Sequence, residues 1–217
     1  MVSRRQSRRA DSIGDPFTGH EGRYCFYERG MIRLSKHTNA EKGGGMGNRQ
    51  SPAKIEEWFE EGIRCFTKPD GIGAVRAFRQ VIEIDPGYRH HDGDNAYFYM
   101  GKIHEVEGDL DLAVEMYTRA LTLDAWDEES LIGRGSCLTV QKAHERAIAD
   151  FRKALAIPDA QRRAPAQHLL YAIAENYRQQ EDYASALMWG QQALDKDPDN
   201  FRHQELVKAM QMKLQEA

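Results

Sequence analysis

The chain has 217 residues, 41% hydrophobic and 29% charged, with 30 basic against 34 acidic side chains and a formal net charge of −4. One domain with a tail fits that length. The near balance of charge argues against a strongly basic nucleic-acid binder, and no apolar run approaches the roughly 18 residues of a membrane span.

Charge is unevenly spread along the chain. Residues 1–50 hold ten Arg and Lys against five Asp and Glu, so they carry +5 while the remainder carries −9. Residues 1–53 contain the runs RRQSRR and GGGMG and no sustained 3.6- or 2-residue apolar period. Nothing there can bury a stable face, and the segment reads as a disordered basic leader. No apolar stretch follows Arg4, Arg5, Arg8 and Arg9, and Asp11, Asp15 and Glu21 speak against a transit peptide. Lys42-Gly43-Gly44 ahead of Met46 can be encoded as a bacterial ribosome-binding sequence. A start at Met46, leaving residues 1–45 untranslated, therefore stands beside a start at Met1 as an expectation.

From residue 54 onward the chain repeats. Trp58, Gly62, Ala74, Phe78 and Pro86 of a first copy (55–88) recur in outline as Tyr97, Gly101, Ala113, Tyr117 and Ala120 of a second (94–127). Leu131, Gly135, Ala147, Phe151 and Ala154 continue the pattern in a third copy (128–161), and Leu170, Ala174, Tyr177, Ala186, Ala193 and Pro198 in a fourth (167–200). The unit is 34 residues, the period of a stacked helical hairpin. Small residues at 62, 101, 135 and 174 and alanine at 74, 113, 147 and 186 let the two helices of a unit approach closely, while the bulky positions fill the space between units.

The unit resembles the tetratricopeptide repeat, whose signature is a large residue at position 4, a small one at 8, aromatics at 11 and 24, Ala at 20 and 27 and Pro at 32. The resemblance implies an all-α fold, an α-solenoid wound as a right-handed superhelix of four helical hairpins. Two intervals between copies are longer than the unit, so five-residue insertions fall at Arg89–Gly93 and Arg162–Ala166, between one copy and the next. Pro86 and Pro198 stop second helices, Pro158 does so one place early, and the second copy has Ala125-Trp126 instead. Leu206, Val207, Met210 and Leu214 form one stripe over 201–217, as a C-terminal capping helix requires.

No HExxH, GxSxG, Walker or paired CxxC pattern occurs, so neither an enzyme nor a cofactor or metal is expected. His90-His91-Asp92-Gly93-Asp94 has ligand residue types, but adjacent histidines are expected to diverge in a solvated loop. Cys25, Cys65 and Cys137 are an odd set without disulfide spacing, which favours a reducing, cytoplasmic setting; Cys65 and Cys137 fall on packing positions of first helices, as inert buried thiols.

The resemblance also implies a concave face built by the first helices. Its lining positions fall on Phe59 and Ile63, then Phe98, Lys102 and Glu105, then Ile132 and Ser136, then Tyr171, Glu175 and Arg178. Phe59, Phe98, Ile132 and Tyr171 form an apolar ladder able to anchor a peptide or helical segment, with Lys102 and Arg178 holding polar groups. The Lys and Asn pattern by which one subgroup of the family clamps a C-terminal carboxylate is absent. The expected function is a non-catalytic protein-interaction scaffold. The alternatives are self-association into an assembly, or a docking and regulatory subunit for an enzyme.

Overall fold

The computed structural model describes residues 52–216. Every described residue belongs to one compact unit, Asn48–Ala217. The leader, the Met46 start and Cys25 lie outside the described residues.

Among the described residues the fold is all-α. It runs α1 (Pro52–Thr67), α2 (Gly71–Ile84), α3 (Ala96–Glu107), α4 (Leu110–Leu123), α5 (Glu128–Val140), α6 (His144–Leu155), α7 (Ala166–Gln179), α8 (Tyr183–Lys196) and α9 (Phe201–Glu216). Turns of a few residues join α1 to α2, α3 to α4, α5 to α6 and α7 to α8, which forces each pair to fold back on itself. Each pair packs on the next, and α3 also touches α1 and α5 directly. First helices therefore lie side by side as one layer of a helical-repeat solenoid.

The small residues have a specific task. A Cβ on Gly62 would stand 2.5 Å from the Phe78 ring, one on Gly101 2.8 Å from Tyr117 and one on Gly135 2.9 Å from Phe151. In three pairs, then, the glycine of the first helix receives the flat face of the aromatic from the second. Ala74, Ala113, Ala147 and Ala186 are fully buried beside them. The last pair exchanges the roles: Ala174 replaces the glycine, and Gly190 replaces the ring. A Cβ on Gly190 would meet Leu206 of α9 at 3.2 Å, so the missing ring makes room for the cap. His203, Leu206, Val207 and Met210 bury on that side, while Leu214 at the end of the expected stripe stays exposed.

Helix ends follow local chemistry. Asp70 and Asp182 cap α2 and α8 by accepting the Gly73 and Ser185 N–H groups at 2.9 and 3.0 Å. Gly108 takes a left-handed conformation (φ 86°) between α3 and α4, and Lys142 and Glu181 adopt similar backbones (φ 60° and 62°) at the corresponding turns. Without glycine, each of those turns costs about 1 kcal/mol. The second copy, which lacks a proline stop, ends at Asp124, whose carboxylate accepts the Trp126 N–H at 2.9 Å. Asp85 does the same for Gly87 at 2.9 Å. Trp126 itself stands exposed with Lys153 Nζ 5.2 Å above its ring.

Candidate functional site

The loops 85–95 and 156–165 are the long connections, where the insertions were expected; 124–127 and 197–200 are short. Neither long loop is loose. In the first, Tyr88 donates its hydroxyl to Glu56, Arg89 pairs with Asp124 at 2.8 Å, and the His90 ring stacks on Phe59 at 4.8 Å. Both histidines turn toward Glu56 instead of diverging, with His90 Nε2 3.1 Å and His91 Nδ1 3.7 Å from the same carboxylate oxygen. In the second loop the Arg163 and Ala164 N–H groups donate to Glu128 at 2.7 and 2.8 Å. A carboxylate at the start of α5 thus clamps the following loop.

The residues expected to line the groove fall into two unlike halves. At its first end Phe59 is 1% exposed, closed in by His90, by the edge of Phe78 at 5.6 Å and by Tyr99 at 5.9 Å. Ile63 packs, half-buried, against the same core. Phe98 is 6% exposed, with Lys102 Nζ 5.5 Å above its ring. Glu105 accepts the Tyr117 hydroxyl at 2.6 Å; burial raises its carboxyl pKa, and the Tyr117 hydroxyl and Lys102 oppose that shift. These two rings are buried and present little surface.

The second half is more open. Ile132 and Ser136 on α5 and Tyr171 on α7 are half-buried. Tyr171 lies 5.2 Å from the His203 ring of the cap. Glu175 and Arg178 pair at 2.7 Å, and the hydrogen bond that Arg178 donates to Glu175 raises the Arg178 pKa further. Arg178 is therefore half of a dipolar pair.

Beside the groove, loops 85–95, 124–127 and 156–165 enclose a cleft of about 450 Å³ walled by Asp92, Asp94, Asp124, Asp127, Glu128 and Glu129, with Arg89 and Arg163 the basic residues at its edge. Burial pushes the Asp127 and Glu129 carboxyls up, whereas the Trp126 N–H and Arg89 hold Asp124 below the usual range. The acidic character of residues 51–217 is thus concentrated where the long loops meet.

Other polar links escaped a reading by position. Arg134 reaches Asp150 through two hydrogen bonds of 2.8 and 2.7 Å and locks α5 to α6. Asn176 bonds Thr139 at 3.0 Å and His144 at 3.0 Å and so joins α7 to the preceding pair. Cys137 is buried, but Cys65 is half-buried; burial and Glu61 raise its thiol pKa, which keeps it protonated near neutrality.

A solenoid of paired helices with one layer of first helices is the architecture of a helical-repeat interaction module. Residues 98–161 match the family described as tetratricopeptide repeat. The same hairpin alternation runs along 52–216, so the described residues share the fold of tetratricopeptide-repeat proteins. A crystal structure of MamA is similar to it at 19% identity and TM-score 0.64, over 74% of this chain and 82% of that one. Residues 41 to the end of MamA from Desulfovibrio magneticus RS-1 align at 18% identity and TM-score 0.64, over 79% and 88%. YrrB, described as a TPR protein with an unusual peptide-binding site, aligns at 18% identity and TM-score 0.59, over 71% and 74%. No curated protein matches the sequence. Among the described residues, no helix is long and apolar enough to cross a membrane.

Proposed function

We propose that the chain is a non-catalytic protein-interaction scaffold whose concave face receives a peptide or helical segment of a partner. Tetratricopeptide repeats generally mediate protein–protein interactions, and a reading without catalysis agrees with the composition of this face. The observation that carries the proposal is the inequality of its two halves. Phe59 and Phe98 stabilise the first half from beneath, while Ile132, Ser136 and Tyr171 remain accessible in the second. The partner segment then seats over α5 and α7, with Ile132 and Tyr171 as anchors and the Glu175–Arg178 pair orienting its polar groups. The neighbouring acidic cleft favours a segment with basic residues and gives an association that weakens with salt. The odd set of cysteines without disulfide spacing fits a reducing, cytoplasmic setting.

The test is capture of partners from the native host by the wild type and by the Ile132→Ala, Tyr171→Ala double variant, with helix content checked by circular dichroism. Loss of two anchors predicts binding weakened by about tenfold or more. Unchanged capture by a folded double variant would remove the groove from the account. Self-association keeps one supporting observation, because Phe201, Met212 and Leu214 stay exposed on α9. Light scattering of the wild type across concentration separates that reading: a monomer at high concentration excludes it.

A further inference from the structure

Glu56 of α1 and the two histidines of the first long loop form a cluster that the scaffold reading leaves unused. One donor atom from each of Glu56, His90 and His91 lies within 4.8 Å of the other two. The carboxylate oxygen stands 3.1 Å from His90 Nε2 and 3.7 Å from His91 Nδ1. Ligands about 2.0–2.1 Å from a tetrahedral ion are separated by about 3.4 Å, so the two spacings bracket what a zinc ion imposes.

The surroundings already hold these groups in place. The Tyr88 hydroxyl donates to the second oxygen of Glu56. His90 is stacked on Phe59 with an interplanar angle of 13°, and the Asp92 carboxylate lies 3.4 Å from its Nδ1. A carboxylate behind a ligating imidazole is the usual outer partner that fixes ring orientation. The Asp92 N–H also reaches this nitrogen at 3.5 Å, and binding a cation through Nε2 requires Nδ1 to carry its proton toward the carboxylate instead. The His90 side chain is 12% exposed, whereas those of His91 and Glu56 are 46% and 41% exposed, so an ion can enter from solvent.

We propose that Glu56, His90 and His91 form a site for a divalent cation of the zinc class, bound through His90 Nε2, His91 Nδ1 and one Glu56 oxygen, with a fourth position for water. Two imidazoles and one carboxylate favour zinc over magnesium or calcium, which take oxygen donors. The ion ties the 85–95 loop to α1 and fixes the lid over Phe59. This inference stands whether or not the groove binds a partner.

Calorimetric titration of zinc into the untagged full chain near pH 7 tests it. One ion per chain is expected, with affinity about 100-fold weaker in the His90→Ala, His91→Ala variant and about tenfold weaker in Glu56→Gln. Zinc should raise the melting temperature of the wild type and not of the double variant. The exposed His91→Ala change alone guards against loss of folding as the cause and should also weaken binding. His104→Ala removes a separate His104, Glu107 and Asp109 cluster and should leave this binding intact. No zinc uptake by the wild type, or stoichiometric uptake that survives His90→Ala, His91→Ala, would overturn the proposal.

Discussion

Ala113→Asp is expected to unfold the array. Ala113 is fully buried on α4, within the cluster that contains Tyr97, Phe98 and Tyr117, so a carboxylate there enters apolar surroundings. An uncompensated buried charge costs about 3–5 kcal/mol, a large share of the roughly 5–15 kcal/mol that holds a domain of this size. In a solenoid the damage spreads, because each pair is stabilised mainly by its neighbours and α4 stands between α3 and α5. Far-UV circular dichroism should show most of the helix signal lost at neutral pH. Burial raises the carboxyl pKa of the new Asp in the folded state, so the deficit relative to wild type shrinks as pH falls below that raised value and the group binds a proton. A variant that melts as the wild type does would mean that Ala113 is not a packing position.

Tyr117→Ala comes second in expected effect. The Tyr117 ring lies between two glycines of different repeats: a Cβ on Gly101 would stand 2.8 Å from it and one on Gly133 2.5 Å. It is therefore packed against α3 on one side and α5 on the other, and is 1% exposed. Removing a buried aromatic costs about 3–5 kcal/mol, from lost transfer energy and the cavity left behind. The variant also deprives the Glu105 carboxylate of its 2.6 Å hydroxyl donor. Tyr117→Phe separates the contributions, since it keeps the ring and loses a hydrogen bond worth about 1–3 kcal/mol. Urea denaturation should place Tyr117→Phe between the wild type and Tyr117→Ala. Equal midpoints for the two variants would show that the ring contributes no packing.

Why some of this was legible in the sequence follows from the same contacts. A glycine facing a ring, as at Gly62, Gly101 and Gly135, is required by helix separation alone, so its spacing carried the fold without any knowledge of the surroundings. The insertions were legible too, because they change the interval between copies. Their conformation was not: loop 85–95 is set by Glu56, more than thirty positions earlier in the chain. That is why Phe59 and Tyr171 looked alike as equivalent positions of first helices and differ in the fold. Exposure at that position depends on what lies above it, which for Phe59 is the His90 ring. The helix stop at Asp124 was missed because proline drew attention, although aspartate at 85, 124 and 197 was the recurring signal.

The loops give the molecule its asymmetry. Glu56 draws one loop over Phe59, and Glu128 holds the other through two N–H groups beside the acidic cleft. In the proposed function, the stretch that receives the partner is thereby confined to α5 and α7. A partner long enough to follow it toward α3 passes the cleft and meets Glu129, whose carboxyl burial has pushed up.

Site-specific photo-cross-linking in the native host tests the central claim most directly. A photoreactive side chain at Ser136 faces the proposed segment, while one at the exposed Met188 on α8 lies on a second helix. A discrete adduct from position 136 and none from 188 is the predicted result. An adduct from 188 with none from 136 would contradict the assignment of the groove as the binding face.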